Sequence, residues 1–160
     1  MEDLHLDKNF LDIAEKSLDY GVMGILALMS IVTLWLFIER MIFYRTVRVD
    51  EYKHRDNLEL DLTDNIGVIS AIGTNAPYIG LLGTVIGIMI TFYSLGDAGS
   101  VDAKTIMMGL ALALKATAMG LLVAIPAIVT YTILLRKVER LLTTFDVAKE
   151  SEGKTPDVQV

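Results

Sequence analysis

Several residue types that carry chemistry are missing from this chain or rare in it. It has no cysteine, two histidines and one tryptophan. The absence of cysteine excludes disulfides and thiolate metal sites. His5 and His54 lie far apart in polar segments, so a histidine-based metal site or catalytic triad is not expected. With no nucleophile motif or phosphate-binding loop in view, the sequence predicts neither an enzyme nor a bound metal or cofactor. The net charge of -6 gives no reason to expect nucleic-acid binding.

Charge is also missing from three long runs. The chain is 53% hydrophobic, above the roughly 45–50% of soluble domains, and its mean hydropathy is +0.51. Residues 20–38 and 66–95 carry no charge, and residues 106–135 carry only Lys115. About 20 apolar residues cross a hydrocarbon core. We therefore predict an all-α membrane protein with three transmembrane helices rather than a soluble bundle. The second and third helices exceed a bare span, so both should tilt or extend into water.

The basic residues are distributed unevenly around these runs. Five fall in residues 39–75 and five after residue 135, against two before residue 20 and one in residues 96–105. Because lysine and arginine favour the cytoplasmic side, segment 39–65 and the C-terminus are predicted to be cytoplasmic. The N-terminus and loop 96–105 are then predicted to lie outside.

The polar segments carry weaker helical patterns. Residues 1–19 are predicted to form a short amphipathic helix on the outer membrane surface. Within the cytoplasmic segment 39–65, residues 46–65 contain no proline or glycine and should continue as helix. Residues 136–160 should begin as a helix and end in a disordered tail from residue 151. The apolar positions behind the first and last of these predictions are Leu4, Leu6, Phe10, Ile13, Leu18, Leu135, Val138, Leu141, Leu142 and Phe145.

Small residues recur at helical spacing in the second and third runs. Such stripes allow helix backbones to approach closely within a membrane. We interpret them as packing surfaces. Three helices alone do not use every small face, so the stripes also favour an oligomer. The residues are Gly80, Gly83 and Gly87 in the second run and Gly109, Ala113, Gly120 and Ala124 in the third.

Two threonines lie among these small residues, Thr84 in the second run and Thr117 in the third. A threonine inside a membrane helix commonly donates to its own carbonyl four residues earlier. If the two hydroxyls line an internal path instead, they can hold water or relay a proton. The pattern alone leaves both interpretations open.

The stretches GLLGTVIGIMITF and ALKATAMGLLVAIPAIVTY resemble the two signature helices of the ExbB/TolQ/MotA proton-channel family. Ile38-Glu39-Arg40 is also similar to ExbB and TolQ members. The resemblance covers about residues 20–145. Three predicted spans agree with ExbB and TolQ, since MotA has four, and the similarity is strongest to the ExbB members.

This resemblance implies a homo-pentamer around a central lumen in the bacterial inner membrane. It further implies an ExbD-like single-span partner whose helix carries a membrane aspartate, and a TonB-like protein that transmits the work to outer-membrane transport. The N-terminus would be periplasmic and the C-terminus cytoplasmic. Thr84 and Thr117 match lumen-facing threonines of the family. A TolQ-like role in envelope integrity and a non-conducting membrane scaffold remain the alternatives.

The chain departs from the family pattern in two places. Leu112 stands where ExbB members usually have an acid, and Lys115 follows three residues later. No carboxylate remains inside a predicted span, so any proton-carrying acid should come from the partner. Because intramembrane charges generally pair, we predict that Lys115 contacts a carboxylate on the partner or at a subunit boundary; the alternative is that its side chain extends to the outer interface. The other departure is segment 39–75, which is shorter than is common in ExbB.

Overall fold

The structure is a computed structural model that describes the backbone of residues 2–96 and 103–153. It describes the side chains of residues 16–93 and 106–152, together with Ile13, Ala103 and Lys104. All regular structure in these residues is helical. Three of the helices are long and apolar enough to cross a membrane, so the predicted all-α class with three long helices is confirmed. The elements are α1 (Glu2–Thr46), a 3-10 turn (Val49–Glu51), α2 (Arg55–Thr63), α3 (Ile66–Gly96) and α4 (Ala103–Gly153).

The three long helices pack side by side, and side-chain contacts fix their directions. The Lys115 amine contacts Asp19 and the Lys137 amine contacts Met41, both across a separation of 96 residues, so α1 runs parallel to α4. Gly87 lies beside Ala113, and Gly73 lies beside Ile128, so α3 runs antiparallel to α4. The most extensive contact joins α3 to α4, and α1 packs against both.

Both α3 and α4 contain a proline in their interior. Helix α3 starts at Ile66 and continues through Pro77, as α4 continues through Pro126. Each proline removes one backbone hydrogen bond, which membrane helices tolerate where neighbouring structure supports them. Here the residue beside each proline, Ala76 and Ala127, is fully buried. The packing around these alanines therefore stabilises each helix where its proline removes a hydrogen bond.

The chain between α1 and α3 was predicted to continue as helix, and this prediction is wrong. Helix α1 ends at Thr46, and the short α2 folds back against α4. Leu58 and Leu62, four residues apart on α2, become fully buried by this reversal. Asn65 then adopts a positive φ of 59° just before α3 begins, a conformation that asparagine tolerates better than most residues. Burial of the two leucines explains why the charged segment does not extend away into water.

The two ends of the chain also differ from expectation. Helix α1 has no break near residue 19, so the amphipathic segment predicted at 1–19 is the first part of α1 rather than a separate helix. Residues 2–20 contain no proline or glycine that would favour a break in the helix. Helix α4 continues to Gly153, which makes the start of the predicted disordered tail helical. The rest of that tail, residues 154–160, and residues 97–102 of the predicted loop lie outside the described residues.

Candidate functional site

The contact between α3 and α4 is close enough to bring the two backbones together. A Cβ atom at Gly80 would lie 2.7 Å from the carbonyl oxygen of Ala116. A Cβ atom at Gly120 would lie 2.7 Å from the carbonyl oxygen of Ala76. Real side-chain atoms do not approach backbone oxygens this closely, because packed interiors already sit at van der Waals contact. Glycine at these two positions is therefore a condition for the observed helix spacing.

The other small residues continue this contact. A Cβ at Gly83 would lie 2.9 Å from the Cβ of Ala116, and one at Gly87 would lie 3.1 Å from the Cβ of Ala113. Gly109 faces the side chain of Thr91, and Ala124 is buried in the core. The small residues of α3 and α4 therefore pack against each other within one chain. They give no argument of their own for a second copy, contrary to the expectation from the sequence.

Thr84 and Thr117 meet inside this contact. Their Oγ1 atoms are 2.5 Å apart, and either can be the donor. The Thr84 hydroxyl also lies 3.0 Å from the carbonyl oxygen of Ala113 on α4 and 3.3 Å from that of Gly80 on its own helix. The bond that a threonine usually makes to its own helix is therefore present but is the longest of the three. The two hydroxyls form one bridge between α3 and α4.

Two hydroxyls carry two protons, which limits how this bridge is arranged. One consistent arrangement has Thr117 donating to Thr84 and Thr84 donating to the carbonyl of Ala113. The oxygen of Thr117 then keeps its capacity to accept a further hydrogen bond. Thr84 is only 8% exposed, whereas Thr117 is half-buried. A group outside the pair can therefore form a hydrogen bond with Thr117, whereas Thr84 is buried and out of its reach.

One packing residue was missed from the sequence. A Cβ at Gly73 would lie 2.8 Å from Cγ1 of Ile128 and 3.3 Å from its backbone nitrogen. Gly73 extends the α3–α4 contact toward the end of the bundle where α2 lies. Its spacing offered a signal, since Gly73, Gly80 and Gly87 follow one another at intervals of seven residues.

Lys115 pairs with an acid of its own chain. Its amine lies 3.1 Å from Oδ2 of Asp19 on α1, and the lysine and aspartate side chains are 46% and 37% exposed. Within one chain the lysine thus already has an acidic partner, and its contact with a carboxylate on a partner or at a subunit boundary stays a prediction. The sequence placed the start of the first span at Tyr20, one residue too late to count Asp19. Because α1 continues as one helix past residue 20, Asp19 comes level with Lys115.

The ion pair borders a groove between α1 and the other two long helices. The groove has a volume of about 310 Å³, and both Asp19 and Leu112 line it. Lys115 and Thr117 lie about 200° apart around α4 at 100° per residue. The ion pair and the threonine pair therefore belong to different sides of α4.

A second ionic cluster fastens α1 to α2, and sequence reasoning did not predict its role. Arg40 is 5% exposed, and its guanidinium donates to the Glu39 carboxylate and to the backbone carbonyl of Asp61 at 3.0 Å. It also lies 3.7 Å from the Asp64 carboxylate and 5.0 Å from the centre of the Phe43 ring. These contacts hold the end of α2 against α1.

Two tyrosines reinforce the same end of the bundle. The buried Tyr44 hydroxyl donates to the carbonyl of Leu62 at 2.7 Å. The Tyr52 hydroxyl donates to Asp61 at 2.8 Å. This second bond, followed by partial burial, raises the pKa of Tyr52 above its ordinary value.

Within the described residues, no group of three histidine or carboxylate side chains is placed to hold a metal ion.

Comparison with known proteins agrees with this architecture. Residues 35–147 match the MotA/TolQ/ExbB proton channel family. The biopolymer transport protein ExbB of Helicobacter pylori (strain J99) is 52% identical over 131 residues, covering 82% of this chain and 90% of that protein. ExbB of Aquifex aeolicus is 52% identical over 126 residues, covering 78% and 85%. The TolQ protein of Pseudomonas aeruginosa is 39% identical over 87 residues, covering 54% and 36%.

The chain belongs to the MotA/TolQ/ExbB proton channel family. Family membership together with three long apolar helices makes it a multi-pass membrane protein.

Proposed function

We propose that this chain is the channel-forming subunit of an ExbB-like energy transducer in the bacterial inner membrane. Five copies would surround a lumen that holds an ExbD-like single-span partner, and a TonB-like protein would carry the work to outer-membrane transport. The observation that supports this role most is the hydroxyl pair of Thr84 and Thr117. Identity to ExbB proteins over about four fifths of the chain supports the ExbB-like assignment.

The threonine pair suits a proton path because it offers hydroxyl groups within otherwise apolar helices. A hydroxyl accepts one hydrogen bond while donating another, so it can stabilise a bound water or an acid that releases its proton. In the proposed assembly Thr117 faces the lumen and meets the partner's aspartate. Thr84 orients the Thr117 hydroxyl by accepting its hydrogen bond. Thr84 in turn donates to the carbonyl of Ala113, the backbone group to which Thr117 would otherwise donate.

The proposed orientation places the N-terminus in the periplasm and α2 in the cytoplasm. It rests on ten basic residues on the proposed cytoplasmic side, five in segment 39–75 and five after residue 135, against three on the other side. Single cysteines at Gly99 and Gly153 test it in spheroplasts with a thiol reagent that does not cross membranes. Position 99 should be labelled and position 153 should not. The reverse labelling would overturn the orientation.

Affinity purification in mild detergent, followed by native mass spectrometry, tests the assembly. We expect a particle with five copies of the chain and a co-purifying single-span protein that carries an aspartate in its span. A monomer would contradict the proposed channel. An oligomer that never contains such a partner would favour the non-conducting scaffold instead.

A TolQ-like role in envelope integrity is the second candidate, favoured by the 39% identity to TolQ. Deletion of the gene separates the two roles. Loss of energised uptake with an intact envelope supports the ExbB-like function, whereas detergent sensitivity with normal uptake supports the TolQ-like function.

A further inference from the structure

The charges on α1 define how much of the bundle the hydrocarbon core can cover. Between Asp19 and Glu39 the helix has 19 uncharged residues, which at 1.5 Å per residue span about 28 Å. This length matches a hydrocarbon core of about 30 Å. Tyr20 and Trp35 are strongly exposed toward the two ends of this stretch, as aromatic side chains at membrane interfaces usually are. The Asp19–Lys115 pair therefore lies at one edge of the apolar layer beside α1.

Helices α3 and α4 continue past this edge. Lys115 lies between Ala113 and Ala116, which face Gly87 and Gly83 on α3. Residues 86–96 and 103–114 consequently lie beyond the ion pair, and we refer to them together as the tip. Eleven to twelve residues project roughly 16–18 Å. The tip nevertheless exposes large apolar side chains, each 59–70% accessible: Met89, Phe92, Tyr93, Met107 and Met108.

The first part of α1 runs beside the tip and does not cover these side chains. Adding the 96-residue offset between α1 and α4 places Ile13 level with Gly109, in the middle of the tip. Ile13 is itself 64% exposed. In the sequence, Leu6, Phe10 and Ile13 follow at intervals of four and three residues, which is the spacing of one helix face. The exposed Ile13 of α1 and the exposed apolar side chains of the tip therefore lie at the same level of every copy.

We propose that residues 4–18 of one copy cover the tip of a neighbouring copy. The proposal rests on the oligomer of the proposed function and names the surfaces that meet. Charged residues of α1 at this level, among them Lys16 and Asp19, disfavour lipid chains as the cover. The flexible side chains of Met89, Met107 and Met108 adapt readily to an apolar partner. Because the two surfaces differ, each copy contacts the next head to tail, and contacts of this kind close into a ring when the rotation between neighbouring copies is a whole fraction of a turn.

The absence of native cysteine makes this proposal directly testable. Ile13→Cys is combined in turn with Phe92→Cys, Met107→Cys and Met108→Cys, and membranes are treated with a short bismaleimide. At least one combination should give a ladder of cross-linked dimers, trimers and higher species. The matched control is Ile13→Cys with Leu34→Cys. Leu34 is similarly exposed but lies 21 residues further along α1, about 31 Å away, and should give no ladder. Each single-cysteine variant is a further control.

Three results would count against the proposal. Cross-links confined to single chains would show that α1 covers its own tip. No cross-link in a particle that native mass spectrometry finds oligomeric would show that lipid or another protein covers the tip, while leaving the proposed channel intact. A monomeric particle would overturn both this contact and the oligomer of the proposed function.

Discussion

Helix α4 makes two contacts of opposite character. Toward α3 it presents small residues, the backbones touch at Gly80 and Gly120, and the two threonine hydroxyls bond to each other. Toward α1 it presents Lys115, which reaches across to a half-exposed Asp19 beside a groove of about 310 Å³. The first contact leaves no space for added atoms. The second holds charges that water or a further molecule can still reach.

This difference indicates where the structure tolerates change. The α3–α4 contact depends on backbone spacing, so adding even one methyl group forces the helices apart. The α1–α4 contact has buried apolar side chains such as Leu26 along its length and polar contacts at its two ends, Asp19 with Lys115 at one and Met41 with Lys137 at the other. Substitutions should therefore be most costly at the first contact and mildest at the exposed end of the second.

The largest effect is expected from Gly80→Ala. The new Cβ would meet the carbonyl oxygen of Ala116 at 2.7 Å, and overpacking of this kind costs about 1–3 kcal/mol. The matched control is Gly24→Ala, since a Cβ at Gly24 meets nothing within 4 Å. Thermal unfolding in detergent should show a lower transition temperature for Gly80→Ala only. Equal transition temperatures would mean that the α3–α4 contact is not as tight as described.

A more local loss is expected from Arg40→Met at the end of α1 near α2. The variant keeps an apolar stem but removes hydrogen bonds from a charged group to Glu39 and to the carbonyl of Asp61. Such bonds contribute about 1.5–3 kcal/mol each in protein interiors, and the exposure of Glu39 to water reduces the net loss here. Arg45→Met, at an exposed position on the same helix, is the control. Protease digestion should cut the α2 segment faster in Arg40→Met alone, and equal rates would contradict the clamping role of Arg40.

The smallest effect is expected at the Asp19–Lys115 pair. Partly exposed ion pairs contribute about 0.2–1 kcal/mol. Lys115→Met and Asp19→Asn should each lower the transition temperature slightly, because each leaves one charge without its partner. The double variant should be more stable than the sum of the single effects predicts. Strict additivity would show that the two side chains do not interact.

The sequence was sufficient for the helical class and for most of the small residues of the α3–α4 contact, although Gly73 was missed. Uncharged runs report membrane helices directly, and glycine at helical spacing reports close backbone approach. Helix ends within polar stretches were not predictable in the same way. The turn after Thr46 and the reversal at Asn65 arise because Leu58 and Leu62 are buried against α4. The local sequence does not predict where on α4 these leucines pack.

Sequence reasoning could select residues for the candidate site but could not predict which of them are in contact. Thr84 and Thr117 can be selected from the sequence, but whether they touch depends on the relative rotation of two helices, since the residues are 33 positions apart. The partner of Lys115 was missed because hydropathy placed the edge of the first span one residue after Asp19. The buried state of Arg40 was equally hidden, since it depends on how α2 folds back.

The hydroxyls of Thr84 and Thr117 are the centre of the proposed function, and their removal by valine tests it most directly. Valine keeps the shape of threonine and removes the oxygen. Thr33→Val is the matched control, since Thr33 is also buried but donates only to the carbonyl of Met29 on its own helix at 2.9 Å. Energised outer-membrane uptake is measured in cells that carry each variant, after native mass spectrometry has established that the oligomer is intact. We predict that Thr84→Val and Thr117→Val abolish uptake while Thr33→Val retains it. Full uptake in both Thr84→Val and Thr117→Val would show that the bridge between α3 and α4 serves packing alone and would contradict the account.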